Sequence, residues 1–264
     1  MGTVFFIGAG PGAADLITVR GARLLAQADV VLFDALTDPH LRELAPRARW
    51  IDVGKRGFAH ATRQTQIDAM LVREAQQHAC VVRLKGGDPS LFGRLEEELE
   101  ALAAHGIACE VVPGVTAALA AAAAAQRPLT RRGRGRSVAF STAMTQQGEL
   151  RGALSADSEV FYMAGRQLGA LSRRLRAAGW PAHTPACVVS RAGCSDALVS
   201  QHLLHNLHQA ALLHAGRPTV VTVGVAATAV GAAGTAATQH RPTAAGAPAP
   251  PARRHPKHHY LHRS

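Results

Sequence analysis

Three short stretches have the composition of loops that approach a ligand. GAGPG covers Gly8 to Gly12, KGGDP covers Lys85 to Pro89, and PGVTAA begins at Pro113; each follows an apolar, strand-like run. A glycine turn removes the Cβ and lets backbone N–H groups come close to a bound molecule. Thr116 stands at a helix start, where N–H groups lack intrahelical partners. Such loops suit a folded nucleoside with a carboxylate and amino tail, and a carboxylate such as Asp88 suits its hydroxyls. Gly8, Gly10 and Ala13 also fit the dinucleotide pattern G-x-G-x-x-G/A, with Asp29 or Asp34 as the later acid. Two features oppose that reading. Pro11 removes a donor inside the turn, and one fingerprint does not explain a second glycine loop. On spacing alone, Asp34 reads as a strand-end cap, Lys55 as a surface lysine, and Arg131 and Arg132 as solvated charges.

The elements that must hold these loops alternate. Strand-like runs at 4–7, 29–34, 50–53, 80–85 and 109–112 are separated by helical patterns at 15–27, 39–44, 64–78 and 95–105. This βαβ rhythm predicts a mostly parallel sheet with helices on its faces. Its loops at the strands' C-terminal ends can then share one cleft. Pro113-Gly114 marks the boundary of a second, smaller α/β half with more antiparallel character. There Thr116 is placed to cap an Ala-rich helix running to Ala125. Strands are expected at 137–141, 160–163, 186–189 and 219–223, with a helix over 168–178. The division is therefore 1–112, 113–226 and a tail from 227 to 264.

The formal net charge is +11, and no acid follows Asp196. Six units of that excess lie in the last part of the chain, so the basic balance is partly a property of the tail and weak evidence for nucleic acid. The closing segment is rich in Ala, Pro, His and Arg, has too little apolar bulk for a core, and is expected to be disordered. The uncharged run 219–238 is long enough for a membrane span. Its Ala, Gly and Thr content instead predicts one strand and a linker. Cys80, Cys109, Cys187 and Cys194 form no CxxC pair, the pattern of reduced, mostly buried thiols. No cleavable leader is evident, and a cytoplasmic protein is expected.

GAGPGAADLIT, ADVVLFDAL, VGKRG, VVRLKGGDPSLFGR, VVPGVTAA, PLTRRG and FYMAGR follow one another in order between residues 4 and 225. In that series the chain resembles the tetrapyrrole methylase family, on the side of its members that methylate uroporphyrinogen III. The resemblance implies two α/β domains with S-adenosylmethionine held in the cleft between them. It carries over Pro11, Gly86, Gly87, Asp88, Leu91, Thr116, Ala117, Met163 and Ala192 as cofactor contacts. It makes Asp34 the proton acceptor, Lys55 the proton donor, and Arg94 a partner for substrate carboxylates, with Arg56, Arg131 and Arg132 as further candidates. The implied reaction adds methyl groups at C2 and C7 of uroporphyrinogen III, giving precorrin-2 for sirohaem or cobalamin. A homodimer without metal, nucleic acid or membrane partner is implied as well. Four departures stand out: GRLEEE where relatives often have GRGGEE, Arg131 for a histidine, Ser141-Thr142-Ala143 for TGH, and Ala192 for glycine. They keep two alternatives open, methylation of another corrinoid intermediate and a non-catalytic S-adenosylmethionine or tetrapyrrole sensor.

Overall fold

The computed structural model describes residues 1–54, 64–143 and 154–231. Its first sheet is wholly parallel. Strands β1 (Thr3–Gly8), β2 (Val30–Phe33), β3 (Arg49–Asp52), β4 (Cys80–Lys85) and β5 (Cys109–Val112) lie in the order β3-β2-β4-β1-β5. β1 and β2 read as near-continuous apolar runs because both their faces are covered. Val4, Phe6, Val30, Leu32 and Val81 point to one core, under helices α2 (Gln64–Gln77) and α3 (Leu95–Ala103). Ile7, Val31, Phe33, Val82 and Leu84 point to the other, which Leu25 of α1 (Val19–Leu25) joins.

The helix expected over 15–27 is broken in two. Residues Ala14–Leu16 make a 3-10 turn, and α1 starts only at Val19. Thr18 is extended (ψ 152°), and its hydroxyl accepts from the Gly21 N–H. That side-chain cap starts a helix where the apolar pattern alone suggested continuity.

The second sheet has the order β6-β7-β10-β8-β9, from β6 (Val138–Thr142), β7 (Ser158–Tyr162), β8 (Pro185–Ser190), β9 (Leu198–Leu203) and β10 (Thr219–Gly224). Only β6–β7 is parallel; the other pairs are antiparallel, as the sequence suggested. On one face Leu168, Leu171 and Leu175 of α5 (Leu168–Ala177), together with Leu204 and Leu207, meet Phe161, Val221 and Val223. On the other face Ala118 and Ala121 of α4 (Ala117–Ala124) meet Val160, Tyr162, Val189 and Val220. The sequence reading missed β9, the following 3-10 turn (Leu204–Gln209) and the short α6 (Ala210–Leu213). The inward positions of β9 include Ser200 and His202, which hydrogen-bond to each other, so its alternation is not apolar.

β10 is buried along its whole length and ends in a 3-10 turn, Val225–Ala227. Among the described residues no helix is long and apolar enough to cross a membrane. Packing contacts continue past residue 226. Ala227 is buried and its carbonyl accepts from Arg127, while the Thr228 carbonyl accepts from Arg131. Both sheets belong to one compact unit, Met1–Gly231.

Candidate active site

The opening glycine loop is lean because it is packed against other loops. Gly10 and Gly87 form an antiparallel bridge. The Gly87 N–H donates to the Gly10 carbonyl at 2.7 Å, and the Gly10 N–H returns to the Gly87 carbonyl at 3.3 Å. A Cβ on Gly8 would lie 2.5 Å from the Gly114 Cα, and a Cβ on Gly12 would lie 2.5 Å from the Cys194 sulfur. Ala13 donates to the Gly193 carbonyl, and a Cβ on Gly193 would strike the Pro11 ring at 2.8 Å. The dinucleotide pattern therefore has no seat. Only the 3-10 turn Ala14–Leu16 opens at the loop, and α1 begins beyond it at Val19.

The second glycine loop differs. A Cβ on Gly86 would meet only the Leu36 Cβ, at 3.7 Å, and one on Gly87 only the Thr116 Cα, at 3.9 Å. This is a cradle with no side chain of its own, the kind that admits a ligand. Around it stand the other residues singled out in the sequence. Asp88 accepts from the Ser90 N–H at 2.8 Å and from the Gly114 N–H at 2.9 Å, tying the cradle to the chain entering α4. A carboxylate has further lone pairs for a hydroxyl. Thr116 occupies the N-cap of α4 but does not cap it. Its hydroxyl instead bonds the Tyr162 hydroxyl at 2.7 Å in a buried pair. Burial pushes the Tyr162 phenol up, and the ring packs against Phe92 at 5.0 Å. Met163 follows Tyr162, is 44% exposed and has φ 56°. Leu91 is half-buried beside the cradle's end, Ala117 is half-buried at the start of α4, and Ala192 is buried next to Gly193. Pairwise contacts link the cradle to the Pro11 loop through Gly10 and to the Thr116–Tyr162 pair, and link Pro11 to Gly193.

Of the groups that could do proton chemistry, Asp34 follows β2 and is one-third exposed. Its carboxylate accepts from Arg83 at 2.6 Å, while its backbone carbonyl takes the Thr37 N–H and hydroxyl. The strand-end turn is therefore made by its main chain. Arg94 is left-handed (φ 54°) at the start of α3 and pairs with Glu97 at 2.9 Å in the open. Leu95, the first departure in GRLEEE, is the first residue of α3 and packs against the core. Lys55 and Arg56 lie outside the described residues. Arg132 is exposed. Arg131 is half-buried and donates through one Nη to the Thr228 carbonyl.

Beside Asp34 lies a pocket of about 520 Å³ lined by Phe33, Leu36, Asp38, Arg42, Trp50 and Arg191. Arg42 stacks over Phe33 at 5.1 Å and over Trp50 at 5.6 Å. The sequence reading did not find this pocket, nor the buried charges behind Asp34. The available signal was a pair of cations, Arg83 and Lys85, inside an apolar strand. The cysteines are unpaired, but only Cys187 is fully buried and Cys109 is exposed, fewer buried thiols than expected.

A family model described as Tetrapyrrole (Corrin/Porphyrin) Methylases matches residues 3–208. The chain is 44% identical over 232 residues to a siroheme synthase of Pseudomonas fluorescens (strain SBW25), covering 84% of this chain and 50% of that protein. It thus spans about half the length of the curated relatives it matches. The uroporphyrin-III C-methyl transferase of Thermus thermophilus complexed with S-adenyl homocysteine superposes with a TM-score of 0.76 at 33% identity, covering 85% of this chain and 98% of that one. A cobalamin biosynthetic enzyme, cobalt precorrin-4 methyltransferase, gives 0.75 at 27% identity over 86% and 96%.

Proposed function

The chain belongs to the tetrapyrrole (corrin/porphyrin) methylases, and from that premise we propose that it transfers methyl groups from S-adenosylmethionine to C2 and C7 of uroporphyrinogen III, forming precorrin-2 for sirohaem or cobalamin synthesis. The observation that carries the reading is the likeness to the Thermus thermophilus C-methyl transferase over almost the whole of that chain. The side-chain-free cradle at Gly86 and Gly87 would hold the nucleoside, and Asp88 would accept from its ribose hydroxyls. Pro11, Leu91, Thr116, Ala117, Met163 and Ala192 complete the walls, in two domains divided near Pro113.

The cofactor, when bound, supplies a methyl carbon already activated by a sulfonium. The protein's own task is to hold an electron-rich pyrrole carbon in line with it, and positioning of that kind supplies much of the rate. When the new carbon–carbon bond forms, a proton must leave the tetrapyrrole. Asp34 accepts it, Lys55 is the donor, and Arg94 binds a substrate carboxylate. The protein acts as a cytoplasmic homodimer. A second reading, a later corrinoid as substrate, is favoured by the likeness to the cobalt precorrin-4 methyltransferase.

The test is an anaerobic incubation with uroporphyrinogen III and S-adenosylmethionine, followed by mass and absorbance. A gain of two methyl groups is expected. Cofactor binding with no methyl gained would shift the reading to another tetrapyrrole or to a sensor.

A further inference from the structure

Period-two alternation carries the α2/α3 face of the first sheet from apolar to charged at the C-terminal end of its strands. Val30 and Leu32 of β2 are followed on that face by Asp34; Val81 of β4 is followed by Arg83 and Lys85. Glu98 joins them from above. It stands on the buried stripe of α3 with Leu95, Leu99 and Leu102, at a position the helix period would give to an apolar residue. The four make one chain of ion pairs. Arg83 donates to Asp34 at 2.6 Å through Nη2 and to Glu98 at 2.9 Å through Nε, and Lys85 donates to the other Glu98 oxygen at 2.5 Å. Arg83, Lys85 and Glu98 are at most 3% exposed, and only Asp34 reaches the site.

Burial alone would lower Arg83, but Asp34 and Glu98 outweigh it and hold the guanidinium above its usual value. Burial and the charge of Arg83 push the Lys85 ammonium down, and Glu98 recovers part of that. Buried charges of this kind cost more desolvation than well-packed apolar residues would, so their presence under one reactive carboxylate asks for a reason beyond stability. Arg83 also bonds the Leu84 carbonyl, which leaves its plane little freedom. A planar guanidinium pinned by Glu98 offers Asp34 one donor in one direction, which an ammonium cannot do. The far end of the chain supports the other candidate group. A Cβ on Gly93 would sit 3.1 Å from Lys85 Cε, so the Lys85 stem packs under the turn from which Arg94 departs.

We infer that Arg83, braced by Glu98 and Lys85, is a positioning residue that fixes the direction of the Asp34 carboxylate against the substrate. This rests on the reading of Asp34 as the proton acceptor. The test is a cycle of Arg83→Lys, Asp34→Asn and the double variant, with kcat, KM for uroporphyrinogen III and S-adenosylmethionine affinity measured for each. Arg83→Lys keeps the charge and loses the direction, so kcat is expected to fall about 10- to 100-fold, the scale of a misplaced catalytic group. KM and cofactor affinity should hold, and the double variant should be no slower than Asp34→Asn. If the two losses multiply, Arg83 does not act through Asp34 and the inference fails while the base assignment stands. If Asp34→Asn turns over like the unmodified protein, the base assignment fails and takes the inference with it. Should Arg83→Lys not fold, Glu98→Gln, which keeps the shape and releases the brace, takes its place in the cycle with the same expectations; a drop in cofactor affinity and thermal midpoint in step with the rate would mark a purely structural role.

Discussion

Gly8 and Gly114 approach so closely that a Cβ on Gly114 would lie 2.7 Å from the Gly8 Cα and 2.2 Å from the Gly87 carbonyl oxygen. Three backbone segments meet there, and none can yield as a flexible side chain would. A Cβ on Gly86, one residue before Gly87, would instead make only an ordinary contact, 3.7 Å from the Leu36 Cβ. The two glycines should therefore respond differently to the same methyl. Gly114→Ala is expected to destabilise the fold by about 1–3 kcal/mol, the range for overpacking. Gly86→Ala should keep its thermal midpoint but bind S-adenosylmethionine more weakly. Calorimetry and thermal unfolding of both variants check this; full affinity in Gly86→Ala would remove that residue from the cofactor wall.

Thr116 and Tyr162 satisfy each other's hydroxyls where both are nearly buried. Thr116→Val leaves the Tyr162 hydroxyl without that partner and is expected to cost about 1–3 kcal/mol. Restoring the apolar match with Tyr162→Phe in the same chain should recover most of the loss. Chemical denaturation of the two variants and their combination measures the coupling, and purely additive losses would show that the pair does not act as a unit.

Asp34→Asn and Arg94→Ala should lower turnover with cofactor binding nearly intact. Arg94 pairs with Glu97 where both are about two-fifths exposed, and such a pair is worth less than about 1 kcal/mol, so the variant folds. Equal loss of turnover and of cofactor affinity in either folded variant would refute the role given to that residue.

His214 is fully buried, with Ser190 and Ser200 at 2.8 Å from its two ring nitrogens. Burial, with His202 and Arg217 nearby, pushes it below the ordinary histidine value; burial does the same to His202. The unfolded chain, titrating near about 6.5, then binds more protons than the folded one below that pH. This contribution to stability is complete above about pH 6.5 and is lost as pH falls toward the lowered folded value. The thermal midpoint should drop between about pH 7 and 5, and drop less in His214→Gln. Parallel pH curves for the two proteins would exclude His214 as the source.

Much of the fold was legible because its signals are local. Adjacent valines at 81–82 and 220–221 within short β-rich runs mark strands buried on both faces, and the turns between elements leave room for helices or tight returns. Failures came where a side chain overrode the pattern. The Thr18 hydroxyl split one helix into two pieces, and the hydrogen-bonded Ser200 and His202 hid β9. The bond from Arg131 to the Thr228 carbonyl joins residues nearly a hundred positions apart. No window of sequence contains that pairing.

The amino-acid sequence by itself determined every strand but β9, the glycine loops and the order of the motifs, since backbone freedom and hydrophobic period are properties of a few neighbouring residues. It did not decide what each glycine is for. Gly8 and Gly114 admit another backbone while Gly86 and Gly87 leave a cradle open, and the four look alike until the chain is folded. Nor did it join Asp34 to Arg83, Glu98 and Lys85. Ion pairs among residues 13 to 49 positions apart arise only when parallel strands and a covering helix bring those side chains to one face. Burial then leaves the charges little choice but each other.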